Sequence, residues 1–141
     1  LDTLQAAILQ VKLKYLDHYN QARQQAAAVY DQELSGIDQI VTPARVPYST
    51  HIYHQYTLKL QPGISRDDLK AYLKDRGIPT MVYYPVPMHM QEAFRDSGYQ
   101  EGDFPVSEEL SRTVLSLPMH TELEQDQIQY ITETIKQYFM S

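Results

Sequence analysis

Apolar residues recur at Leu1, Leu4, Ile8, Val11, Tyr15, Tyr19, Ala22, Ala26, Tyr30 and Leu34, in steps of three and four, with no glycine or proline before Gly36. That period predicts one long amphipathic helix, residues 1–35, straight or kinked, which Gly36 ends because glycine accepts the left-handed conformation of a helix terminus. At 1.5 Å per residue such a helix runs about 50 Å, whereas a small domain is ~30 Å across, so it is expected to overhang its own fold. A second apolar line, Leu9, Leu13 and Leu16, widens the stripe beyond what one packed layer needs. Its cover is expected from outside the chain, from a missing domain or a second subunit.

Pro43 and Pro47 mark an irregular connection with a short strand at residues 39–42. The period then falls to two. Ile52, His54, Tyr56, Leu58 and Leu60 alternate with Tyr53, Gln55, Thr57 and Lys59, which predicts a strand over residues 52–60 with unlike faces. Pro62 and Gly63 turn the chain, and Ser65 with Asp68 three residues on reads as a capping box ahead of a helix carrying Leu69, Tyr72 and Leu73 that stops at Gly77. The β-formers of residues 78–84 predict a strand that runs into the ordered loop Pro85-Val86-Pro87. A helical piece over residues 91–96, a helix from Pro105 to about Thr113, a brief strand at residues 115–117 and a final helix from Glu124 with Ile128, Ile131, Ile135 and Tyr138 on one face complete the order. This irregular succession points to an α+β fold with a small, mostly antiparallel sheet covered by helices on one face. No internal repeat or second linker divides residues 1–141.

At 141 residues and 43% apolar content the chain fits one domain with its own core. Its 12 basic against 18 acidic residues, net −6, disfavour nucleic acid and anionic membrane surfaces as partners. Its apolar runs are too short to span a bilayer. The absence of cysteine excludes disulfides and thiolate metal sites and fits a reducing compartment, hence a cytoplasmic location.

Among candidate chemistries, His51 and His54 form the only close histidine pair, but in a strand an odd separation sends the rings to opposite faces, so no metal is expected there. His54, on the apolar face, reads as a hydrogen-bonded core residue. The five glycines compose no phosphate loop, and no serine stands in a nucleophile elbow. Asp103, Glu108 and Glu109 read as helix-terminus and solvated charges rather than a catalytic pair. Residues 80–91, with Tyr83, Tyr84, His89 and three methionines around Pro85 and Pro87, offer stacking faces and polar donors on a stiff loop, a composition suited to the rim of a pocket for a polar ring. Composition alone favours the plainer account in which Tyr83 packs in the sheet and His89 faces water.

Five segments in order, Leu1-Asp2-Thr3-Leu4-Gln5-Ala6-Ala7-Ile8-Leu9, His51-Ile52-Tyr53-His54-Gln55-Tyr56, Gly77-Ile78-Pro79-Thr80, Tyr84-Pro85-Val86-Pro87-Met88-His89 and Leu115-Ser116-Leu117-Pro118-Met119, resemble the C-terminal portion of the DegT/DnrJ/EryC1/StrS nucleotide-sugar aminotransferases. The resemblance covers nearly the whole chain. It implies the small C-terminal domain of a fold-type-I pyridoxal phosphate enzyme, a homodimer that moves an amino group from glutamate to a nucleotide-linked keto sugar. It also implies that the long first helix bridges to the cofactor domain, and that Tyr83, Tyr84 and His89 lie where such enzymes contact substrate. Many members carry histidine where Tyr83 stands, and a phenol there favours a different sugar substituent. The lysine that forms the imine belongs upstream of residue 1, and none of Lys12, Lys14, Lys59, Lys70, Lys74 or Lys136 matches its motif, so no catalytic, cofactor-binding or metal-ligating residue is expected in this chain. A sugar dehydratase on the same scaffold, with histidine for the lysine, and a stand-alone binding domain are the alternatives. Polysaccharide assembly is the expected pathway class.

Overall fold

The first apolar repeat folds as two helices, not one. The computed structural model of the chain describes residues 2–140, so Leu1, where the predicted helix begins, lies outside the described residues. Helix α1 (Thr3–Leu13) starts at Asp2, whose Oδ1 accepts the Leu4 N–H at 2.8 Å. Helix α2 (Leu16–Leu34) follows after a break at Lys14 and Tyr15, where the Tyr15 N–H turns tightly onto the Lys12 carbonyl at 3.0 Å. No glycine or proline marks this break. Its context is packing: α2 buries Ala26, Ala27, Tyr30 and Leu34 in the core, while α1 buries nothing, so no shared layer holds the two to one axis. Leu4, Ile8, Leu9, Val11 and Leu13 all stay exposed.

Three strands form an antiparallel sheet in the order β1 (Ile40–Val41), β2 (Tyr56–Leu60), β3 (Val114–Leu117). Ile40 pairs with Leu60, and Leu58 with Leu115. Alternation along β2 buries Tyr56, Leu58 and Leu60 completely, while Thr57 and Lys59 face the other way. The predicted strand over residues 52–60 therefore holds only in its second half. Tyr53 has φ 47°, a left-handed conformation rare for a bulky residue, and this reverses the expected pattern: Tyr53 is buried and His54 is exposed. The expectation of a core His54 fails with it. The predicted strand at residues 78–84 shrinks to a single bridge, in which Met81 exchanges two hydrogen bonds with Ser116 (3.1 and 2.8 Å). Pro79, Pro85 and Pro87 lack the N–H that a longer ladder needs.

Helix α3 (Arg66–Asp75) begins at Ser65, whose Oγ accepts the Asp68 N–H at 3.2 Å. Ser65→Ala should destabilise the fold by about 1 kcal/mol, because one first-turn N–H loses its acceptor; chemical denaturation measures this. Helix α5 (Gln125–Met140) buries Ile128, Ile131 and Ile135, and packs on α2 with Lys136 Nζ at 2.7 Å from Glu33 Oε2. Helices α2, α3 and α5 thus share one core with the apolar sheet face. On the polar face, helix α4 (Pro105–Thr113) is tied to β2 by Lys59 Nζ and Glu109 Oε1 at 2.7 Å. No helix among the described residues is long and apolar enough to cross a membrane.

Candidate functional site

Beyond the Met81 bridge the chain leaves the sheet and enters the proline-constrained stretch. Its residues then form two 3-10 turns, Met88–Met90 and Glu92–Ser97. Tyr83 and Tyr84 are 41% and 73% exposed, with ring centroids 6.0 Å apart and planes nearly perpendicular. Tyr83 therefore does not pack in the sheet. Both line a groove of about 520 Å³ with Val86, Met88, Leu110 and Ser111. The groove offers phenol rings and hydroxyls over an apolar floor, which suits a polar ring better than an extended apolar ligand.

His89 does not face water either. Its side chain is 7% exposed, and Nε2 lies 3.0 Å from Oε1 of Glu108, itself 5% exposed. The expectation of a solvated Glu108 is corrected here. The residue does stand in the first turn of α4, but a single oxygen, Oε1, also accepts the N–H groups of Gly102 (2.9 Å) and Phe104 (3.3 Å). Burial pushes the Glu108 pKa up, but the hydrogen bonds from Gly102, His89 and Phe104 outweigh it and hold the pKa below the usual carboxylate value. Glu108 is then ionised and can only accept, so His89 Nε2 must carry the proton it donates. The sequence did contain a clue. Phe104 at the helix start has no side-chain acceptor, so a first-turn carboxylate four residues on is placed to reach back to its N–H.

Asp103 and Glu109 do match the surface reading, with Asp103 Oδ2 accepting the Gln100 N–H at 2.9 Å and Glu109 paired to Lys59. A smaller hollow of about 290 Å³ lies against His89, Met88, Phe94, Tyr99 and Phe104. His51 Nδ1 accepts the Tyr53 N–H at 2.8 Å, so His51 serves the loop rather than pairing with the exposed His54. Among the described residues no group of three or more histidines and carboxylates could hold a metal ion.

The sequence pattern of the DegT/DnrJ/EryC1/StrS aminotransferase family matches residues 1–136. The chain belongs to that family. Relatives of this DegT/DnrJ/EryC1/StrS member include a pleiotropic regulatory protein of Geobacillus stearothermophilus, 44% identical over 99% of this chain and 37% of its own length. Another is the dTDP-3-amino-3,4,6-trideoxy-alpha-D-glucose transaminase of Streptomyces venezuelae, 35% identical over 98% of this chain and 36% of its own length. In three dimensions the chain superposes over its full length on 37% of S. venezuelae DesV, solved in complex with a ketimine intermediate, with a TM-score of 0.94 at 34% identity. The chain thus spans about a third of the length of these relatives.

Members of the family work with pyridoxal phosphate, which needs an amine for its aldehyde, a carboxylate at its ring nitrogen and donors for its phosphate. The described residues do not fit that requirement. Lys59 and Lys136 are held in ion pairs with Glu109 and Glu33, Lys12, Lys14 and Lys74 are exposed, and Lys70 lies on α3. No lysine lines the groove beside Tyr83 and Tyr84.

Proposed function

We propose that this chain is the C-terminal, substrate-recognising and dimer-forming part of a pyridoxal phosphate-dependent transaminase that moves an amino group from glutamate to a nucleotide-linked keto sugar. The imine-forming lysine belongs to the part upstream of residue 1, and the first helices bridge to it. Tyr83, Tyr84 and His89 form the recognition segment, with the phenols lining the groove and His89 buried behind it against Glu108. The homodimer completes the active site, and the enzyme works in the cytoplasm on a precursor for polysaccharide assembly.

The observation that carries this reading is the match of the whole chain, in sequence and in shape, to sugar aminotransferases. The exposed apolar face of α1 supports a covering partner. The test uses the full-length gene product with its cofactor, glutamate and a panel of nucleotide-linked keto sugars, with the amino sugar product read by mass spectrometry. Amino transfer to at least one sugar is expected. Cofactor binding without transfer to any sugar, or loss of water from the sugar instead, would overturn the assignment.

A further inference from the structure

We infer that Glu108 is a positioning residue for the sugar half of the reaction: through His89 it fixes the loop that presents Tyr83 and Tyr84. The inference rests on the transaminase reading above. Residues 82–98 are held mostly by contacts of their own. Among the described residues their other hydrogen bonds stay inside the segment, as from Met90 N to Pro87 O (3.0 Å), Gln91 N to Met88 O (3.1 Å) and Gln91 Nε2 to Val86 O (3.4 Å). The contact between His89 Nε2 and Glu108 Oε1 at 3.0 Å is the polar tie that leaves the segment. It joins the recognition loop to α4.

The other end of the tie lies on a helix that is itself joined to β2 and to α3. Helix α4 is fastened by Lys59 to Glu109 at 2.7 Å and by Arg66 Nη1 to the Ser111 carbonyl at 3.0 Å. Three N–H groups converge on the one oxygen Oε1, which sets the carboxylate in a single orientation. A buried acceptor that takes three donors is served best by full negative charge, because charge-assisted hydrogen bonds are roughly twice as strong as neutral ones. Glutamine keeps the oxygen but removes the charge that strengthens all three bonds. The Glu108 side chain is 5% exposed and so does not touch a substrate in the groove. Its effect passes through the ring of His89, which is also held against Phe104 at 4.9 Å between centroids.

The experiment compares full-length wild type, Glu108→Gln, His89→Leu and the double variant, each with bound cofactor. The KM for the nucleotide-linked keto sugar should rise roughly tenfold in Glu108→Gln, the order of one lost charge-assisted hydrogen bond. Its rate of taking the amino group from glutamate, followed by cofactor absorbance, should stay within about twofold of wild type, since that step does not need the tyrosine loop. The double variant should be no worse than the worse single one, because both changes cut one link. Faster amide exchange confined to residues 82–98 is expected alongside. Equal loss in both half-reactions, additive effects, or unchanged exchange in that segment would each overturn the inference. Should Glu108→Gln fail to fold, His89→Leu severs the same tie while leaving both backbone donors on Glu108, and its exchange pattern and KM decide. A wild type that aminates no sugar fails the transaminase reading first, and this assignment falls with it.

Discussion

Leu58→Ala should destabilise the chain by about 2–5 kcal/mol, while Leu4→Ala should change stability by less than about 0.5 kcal/mol. Both remove the same atoms, so the difference measures burial alone. Leu58 sits on the central strand, fully buried and opposite Leu115, in one cluster with Leu69, Leu73 and Ile135. Neighbours on both sheet edges prevent collapse into the cavity, so the lost transfer energy is joined by lost packing. Leu4 is 77% exposed on α1. Since domains of this size are stable by about 5–15 kcal/mol, the first change alone takes a large share. Urea unfolding followed by circular dichroism gives both values. Equal shifts for the two variants would mean that the core is not centred on β2.

The parts of the fold that sequence revealed are those where one local rule decides. Ser65 before an apolar run starts α3, Pro105 opens α4, and Ile128, Ile131 and Ile135 bury one stripe of α5, all as expected. The misread parts are those where packing overrides the local pattern. Alternation over residues 52–60 looks uniform in sequence, yet the burial of Tyr53 against the rings of His51 (4.4 Å) and Tyr56 (6.2 Å) is worth a left-handed backbone, and half the strand is lost. The break after Leu13 has no sequence signal at all, because it separates a helix with a core face from one without.

The site divides in the same way. Tyr83 and Tyr84 stand out by composition, and both lie exposed along one groove. Glu108 does not stand out. One acidic residue in a helix's first turn is ordinary in sequence, and only the turn that aims Gly102 N and Phe104 N at it, together with His89 arriving from 19 residues away, makes it a buried hub. Long-range convergence of that kind leaves no periodic trace.

The tyrosine pair beneath the sheet sets the second large effect, a steep loss of stability in alkali. Tyr30 and Tyr56 are both fully buried, stacked at 4.8 Å, with Tyr30 Oη donating to the Pro118 carbonyl at 2.9 Å and Tyr56 Oη donating to Asp31 Oδ1 at 2.5 Å. Burial raises both phenol pKa values far above the ordinary 10.0, and for Tyr56 the hydrogen bond to the Asp31 carboxylate adds to it. Below about pH 10 the folded and unfolded chains both keep these protons, so the pair adds no pH dependence. Above that pH the unfolded chain releases them and the folded chain does not. The unfolded state then binds fewer protons, so stability falls as pH rises, by about 1.4 kcal/mol per pH unit for each ring until the folded pKa is reached. Two rings together remove roughly 3 kcal/mol between pH 10 and 11.5, the slope reaching its full value only above the unfolded pKa. The decisive quantity is the slope of unfolding free energy against pH, because the Phe variants also lose a hydrogen bond at neutral pH. Tyr30→Phe and Tyr56→Phe should each flatten that slope by about 1.4 kcal/mol per unit, and the double variant by about twice as much. If the slopes of wild type and double variant coincide, the two phenols ionise in the folded chain as readily as in the unfolded one, and the stacked pair is not sealed beneath the sheet.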